Sequence, residues 1–255
     1  MTGKQVIGAL AAMALLGACS GASREKDEAD AASVAASAPA APDPSTCPPP
    51  EYAYDAEEFG PRTDPLVVPA SIATIAATDN TNLAVTTLTG GQMCKDFSWA
   101  YNFSNEARSF LDGRLVAIGW GAYEAFGTML FDRAGKGTQV EVGEWPALSP
   151  SQMRIAALQL SQSGYGGLEG FAIWQITPSG LSEIHRLPDD HRMWEQFPTY
   201  QDFHIDRWQG EGCLLIYAFA DDDLAAVDFD RARAKRSPFH ASERAGWQIV
   251  PGACA

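Results

Sequence analysis

The 255-residue chain reads as all-β, an antiparallel meander arranged either as a propeller-like fragment or as a two-sheet sandwich. Three observations predict this class. Apolar runs of four to seven residues recur throughout residues 51–255. Turn-forming residues punctuate the gaps, as at Asp112-Gly113, Ala134-Gly135-Lys136-Gly137, Pro178-Ser179-Gly180 and Ala220 to Asp223, which is hairpin chemistry. Helical periodicity is confined to short pieces at Asp55–Phe59 and Asp230–Lys235.

In chain order the strand-like runs are Leu83–Leu88, Ser98–Phe103, Arg114–Trp120, Thr128–Asp132, Gln139–Val142, Arg154–Leu160, Phe171–Thr177, Ser182–Leu187, Asp202–Trp208, Cys213–Phe219, Ala225–Phe229 and Trp247–Val250. In the second run Trp99, Tyr101 and Phe103 alternate as one packed face of a strand would. Residues 51–255 suffice for one core that buries about 70% of the unfolded chain's surface, so they are read as a single globular domain.

The N-terminal quarter differs in composition. From Ser20 to Pro50 there is no aromatic residue and, apart from Val34, no large aliphatic one, so this stretch has nothing with which to build a core. Pro39, Pro42, Pro44 and Pro48 to Pro50 favour extended backbone, and the segment reads as a disordered Ala/Pro/Ser tether. Ahead of it, Lys4 precedes the apolar run Val6–Leu16, too short for a membrane span and followed by Leu16-Gly17-Ala18-Cys19.

That last tetrapeptide resembles a bacterial lipobox. The resemblance implies a signal peptide over residues 1–18, removal of that segment, and diacylglycerylation of the Cys19 thiol, with further acylation such as palmitate. Residues 19–50 then form the lipidated tether and 51–255 the folded domain. Two or more acyl chains hold a protein stably on a bilayer where one is marginal. By the same resemblance, Ser20 next to the anchor is compatible with the outer membrane, facing the periplasm. The membrane, through this anchor, is the first expected partner.

Removing residues 1–18 takes away Lys4 and no acid, so the formal charge moves from -14 to -15. So acidic a surface is repelled by phosphate backbones, which excludes nucleic acid as a partner, and by anionic headgroups. Apart from Cys19, four cysteines remain: Cys47, Cys94, Cys213 and Cys254. An even number in an oxidising compartment points to two disulfides. No C-x-x-C pair occurs, which argues against a structural zinc site. Of the three possible pairings, the strand-like runs near Cys213 and Cys254 favour joining those two, leaving Cys47 with Cys94.

Several hairpins recur in one order. Met129 to Gly135, ending in Asp132 and a tight turn, is followed by Trp145-Pro146-Ala147-Leu148-Ser149-Pro150-Ser151 and then by the run Arg154–Leu160. This order resembles a blade of TolB-like β-propellers, in which a proline-bearing stretch and a serine-proline-aspartate-glycine turn precede the next blade. Ser149-Pro150-Ser151-Gln152 keeps the first half of that turn and lacks its aspartate and glycine. The likeness covers residues 98–187 and implies a blade-repeat fold.

No G-x-S-x-G, P-loop or H-E-x-x-H motif occurs. Gly119-Trp120-Gly121 begins like a dinucleotide loop, but Glu124 stands where the last glycine belongs, and the setting is a meander. Asp202, His204 and Asp206 alternate along a strand run and would share one face, yet exposed strand faces are ordinarily this polar, so no metal and no cofactor are expected. Asp221-Asp222-Asp223 lacks calcium-loop spacing and reads as a solvated hairpin tip. Glu141, Glu144, Glu169 and Asp206 are the carboxylates a hydrolase would draw on. The irregular stretch from Pro188 to Tyr200 carries Trp194, Phe197 and Tyr200 beside charged residues and is the candidate interaction loop.

Taken together, these features point to a non-enzymatic, membrane-anchored envelope lipoprotein that presents an acidic, aromatic-bearing β surface to a periplasmic protein or an envelope polymer. An envelope hydrolase with dispersed carboxylates, or an inhibitor of a basic enzyme such as lysozyme, is the alternative.

Overall fold

A computed structural model describes residues 40–50, 66–79, 81–122, 125–159, 167–168, 170–187 and 193–254. Its folded unit spans Ala38–Ala255; residues 1–18, Cys19 and the run Asp55–Phe59 lie outside the described residues. Among the described residues fifteen strands build four antiparallel sheets, each a meander of consecutive strands. The first sheet holds β1 (Ala76–Thr78), β2 (Asn82–Thr86) and β3 (Gln92–Asp96). The second holds β4 (Asn102–Phe110), β5 (Leu115–Gly121), β6 (Phe126–Asp132) and β7 (Thr138–Glu141). In the third are β8 (Ala147–Leu148), β9 (Arg154–Gln159), β10 (Gly170–Thr177) and β11 (Gly180–Arg186). The fourth contains β12 (Tyr200–Trp208), β13 (Cys213–Ala220), β14 (Arg236–Ser242) and β15 (Ile249–Pro251).

Side-chain alternation explains how the sheets pack. On β5, Val116, Ile118 and Trp120 join Leu83, Val85 and Met93 of the first sheet in one core cluster. Their neighbours Leu115 and Ala117 point the other way, against Ile155, Ala157, Ala172 and Trp174 of the third sheet. On β9 and β10 the pattern repeats, with Ala156, Leu158, Phe171 and Ile173 meeting Phe203, Leu214, Ile216 and Phe239 of the fourth. The second and third sheets are thus covered on both faces, which is why β5 reads as an unbroken apolar run rather than a polar-apolar alternation. The architecture is all-β as expected, and it uses four sheets in sequence where a sandwich would use two.

One arginine crosses each junction between sheets. Arg133 donates from Nε to the carbonyl of Thr86 (2.6 Å) and from Nη1 to Gly113 (2.8 Å), joining the first two sheets. Arg114 makes a two-pronged pair with Asp132 (2.9 and 2.8 Å) and donates to the carbonyl of Thr177 in the third sheet. Arg154 on β9 pairs with both carboxylate oxygens of Glu243, each at 2.9 Å, and donates to the carbonyl of Glu211 (3.0 Å). These arginines lie where β5 and β9 begin and where β6 ends, so they close one end of the stack.

Two disulfides join Cys47 to Cys94 and Cys213 to Cys254, the pairing favoured from the strand positions. The first attaches a 3-10 turn (Pro44–Thr46) to β3, where Gln92 also donates to the carbonyl of Asp43 (2.9 Å), so residues 43–47 belong to the folded unit.

Four readings of local structure need correction. Ser98–Phe103 is a turn followed by the start of β4: Trp99 packs edge-on to Trp120 (4.6 Å) instead of lining a strand face. The strand itself continues through the polar stretch to Phe110, because β4 is an edge strand bonded to β5 alone. The Asp triplet opens a helix, α2 (Asp221–Ala225), where its charges face the positive N-terminal end and Leu224 is buried. The run Ala225–Phe229 therefore leaves that helix in a turn, and Asp230–Lys235 is likewise turn rather than helix.

Candidate functional site

At the opposite end from the three arginines, the chain leaves a cleft of about 620 Å3 between the second and fourth sheets. Its second-sheet wall comes from Asn102, Ser104 and Arg108 on β4, Gly119 to Gly121 on β5, and Phe126 to Thr128 on β6. The segment after β7 adds Gly143, Glu144 and Trp145, while His204 and Ile205 of β12 and Tyr217 of β13 close the far side.

Glycine makes this wall possible. A Cβ at Gly119 would stand 2.9 Å from Cβ of Ser104 and 3.7 Å from the Trp145 ring. One at Gly127 would stand 2.8 Å from the ring of Trp120, its cross-strand partner. Glycine inside a strand is otherwise unfavourable, and here it marks the close approach of neighbouring side chains. The Gly119-Trp120-Gly121 string that begins like a nucleotide loop is therefore a strand end that leaves room for rings.

The polar groups are held in pairs. His204 donates from Nδ1 to Glu144 Oε2 (3.0 Å), a bond that spans the cleft from the fourth sheet to the second sheet's last segment. Its ring lies over Tyr217 (centroids 5.2 Å, interplanar angle 30°), and Arg236 covers Tyr217 at 4.3 Å. The Arg108 guanidinium lies 4.4 Å above the Trp145 ring, a cation–π shelf that holds a long side chain in place. Just outside, Arg231 donates to Asp202 (2.7 Å); that hydrogen bond, with the Asp202 charge and more weakly the Glu144 charge, raises its pKa. Phe126 stands at the rim and is 65% exposed. Trp120 is only 6% exposed, and its Nε1–H has no hydrogen-bond partner among the described residues.

The interaction loop is placed only in part. Trp194 falls in a single-turn helix, α1 (Met193–Gln196), and its side chain lies outside the described set. Phe197 packs on Phe203 and Phe239 (5.9 and 5.2 Å) and Tyr200 on Phe239 (5.1 Å), so both rings lean on the core formed by the third and fourth sheets. Asp202, His204 and Asp206 do not converge. Register shifts between Gln201 and His204 and between Ile205 and Arg207 break the alternation, Asp202 has positive φ (52°), and each side chain has its own partner, Asp206 pairing with Arg207. Among the described residues no group of three His, Cys, Asp or Glu is placed to hold a metal ion.

Of the carboxylates singled out in the sequence, Glu144 lines the cleft and Glu141 pairs with Lys95 (3.6 Å) on the first sheet's side; Glu169 lies outside the described residues. Sequence reasoning missed Arg108, Phe126 and Trp145 as a set. The one signal that could have found them is the density of glycines at 119, 121, 127 and 143, each in or beside a strand. No family model and no curated protein matches the chain.

Proposed function

We propose that the protein is a lipid-anchored envelope lipoprotein whose β domain is a non-enzymatic binding module, with the cleft between the second and fourth sheets as its binding site. The lipobox string ending at Cys19 and Ser20 after it support an address on the outer membrane, facing the periplasm. The occupant is an envelope component, a polymer or a periplasmic protein, and the formal charge of -14 disfavours nucleic acid.

The observation that carries the binding reading is the chemistry of the wall. Among its described residues Glu144 is the single carboxylate, and it is already bonded to His204. Hydrolysis of a glycosidic bond ordinarily needs two carboxyl groups in defined separation. Binding needs what is present: aromatic rings, a few anchored polar groups and a volume within the usual ligand-site range of about 300–1,000 Å3.

Two experiments test this reading. Mass spectrometry of the native protein should show a mature N-terminus at Cys19 carrying acyl chains, and Cys19→Ser should release the protein from the membrane fraction; an intact Met1 without fatty modification would overturn the anchor. For the site, Asn102→Trp places a large ring in the cleft from an exposed position. The full wild-type chain should retain an envelope component that the variant does not, and equal retention would remove the cleft from consideration.

A further inference from the structure

We infer that the cleft is a subsite for a neutral oligosaccharide, a reading that rests on the cleft being the binding site. A saccharide ring has two kinds of surface, C–H faces that lie against aromatic rings and an edge of hydroxyl groups that both donate and accept hydrogen bonds. The wall offers both. Phe126, Trp145 and Tyr217 supply rings, and Asn102, Ser104, Thr128, Arg108 and Glu144 supply hydroxyl, amide, guanidinium and carboxylate partners.

Charge narrows the choice further. Arg108 and Glu144 stand in the same cleft with opposite signs, so a polyanion meets Glu144 and a polycation meets Arg108, while a neutral ligand is repelled by neither. The net charge of -14 disfavours polyanions a second time. Exposure points the same way. Val67, Leu88, Met153, Ile184 and Phe229 are also exposed, and single apolar side chains on a surface are ordinary, but Phe126 alone among these lines the cleft, beside two other rings.

The test is a titration of the full chain with cellotriose, chitotriose and maltotriose, followed by tryptophan fluorescence and by calorimetry. At least one should saturate with Kd of about 1 mM or below, and Phe126→Ala, at an exposed position that leaves the core intact, should weaken it about tenfold or more. Arg108→Leu should weaken the same sugar. Binding unaffected by both variants would move the sugar elsewhere and overturn the proposal, as would the absence of saturable binding of all three by the wild type. If no sugar binds while Asn102→Trp still abolishes retention of the envelope component, the saccharide class fails and the cleft stands. If Asn102→Trp changes nothing, the cleft reading itself fails.

Discussion

Gly119 shows how much one absent side chain can decide. In an ordinary strand, replacing glycine by alanine stabilises slightly through backbone entropy. Here a Cβ would press on Ser104 at 2.9 Å, so Gly119→Ala is expected to lower stability by about 1–3 kcal/mol, and adding Ser104→Gly should restore most of that loss in a denaturant titration. His185 on β11 presents a different problem. Its ring lies 5.7 Å from Phe171, its Nε2 is buried without a partner among the described residues, and burial lowers its pKa, opposed only in part by the Glu183 charge. The folded state therefore takes up a proton less readily than the unfolded chain, whose histidine titrates near about 6.5. Between the lowered folded value and that point the unfolded state binds more protons, so stability rises with pH and is lost on acidification. Thermal unfolding followed from about pH 7.5 down to pH 5 should show a smaller loss of Tm in His185→Phe than in the wild type. Parallel curves would show that this residue does not set the acid response.

The elements are held together by the same kind of residue in unequal settings. Asp132 is 0% exposed, and among the described residues Arg114 alone pairs with its charge, from a position between the second and third sheets. Arg114→Met leaves a buried carboxylate without its cation, for which a loss of about 3 kcal/mol is expected. Arg154 meets Glu243, whose side chain is 55% exposed, so Arg154→Met should cost about 1 kcal/mol or less through the ion pair, although its guanidinium holds the Glu243 carboxyl below the usual range. Equal losses for the two variants, measured as shifts in denaturant midpoint, would show that burial does not separate these pairs. Proline has no N–H to give to a sheet ladder, yet Pro238 lies within β14. Its carbonyl accepts from Gly252, so its nitrogen also faces away from β13, and β15 pairs with β14 only from Phe239 to Ala241. The missing N–H thus interrupts no ladder bond to β13.

Over the molecule as a whole, sheets follow one another in chain order and each strand pairs with its neighbour in sequence, so the two disulfides act on the first and the last sheet. Cys47–Cys94 spans 47 residues and Cys213–Cys254 spans 41, loops for which chain entropy gives about 4 kcal/mol each. Replacing either pair by serine should lower the unfolding free energy by an amount of that order. Because the two bridges lie in different sheets, the losses should add in the double replacement; strong non-additivity would mean that the first and fourth sheets unfold as one coupled unit.

Alternation of apolar residues, turn chemistry and the positions of Cys47, Cys94, Cys213 and Cys254 were enough to read the class, ten of the strands and the disulfide pairing, because each rests on interactions between residues near in sequence or on covalent chemistry. The strands that escaped notice, β1, β3, β4, β8 and β14, are short, polar or carry proline, and they are strands because a neighbour supplies their hydrogen bonds. The site was the least legible part. Glu144 meets His204 across 60 positions, and Arg108 reaches Trp145 across a sheet. No local pattern records such a meeting; only the stacking of one meander on the next brings those side chains to a common cleft.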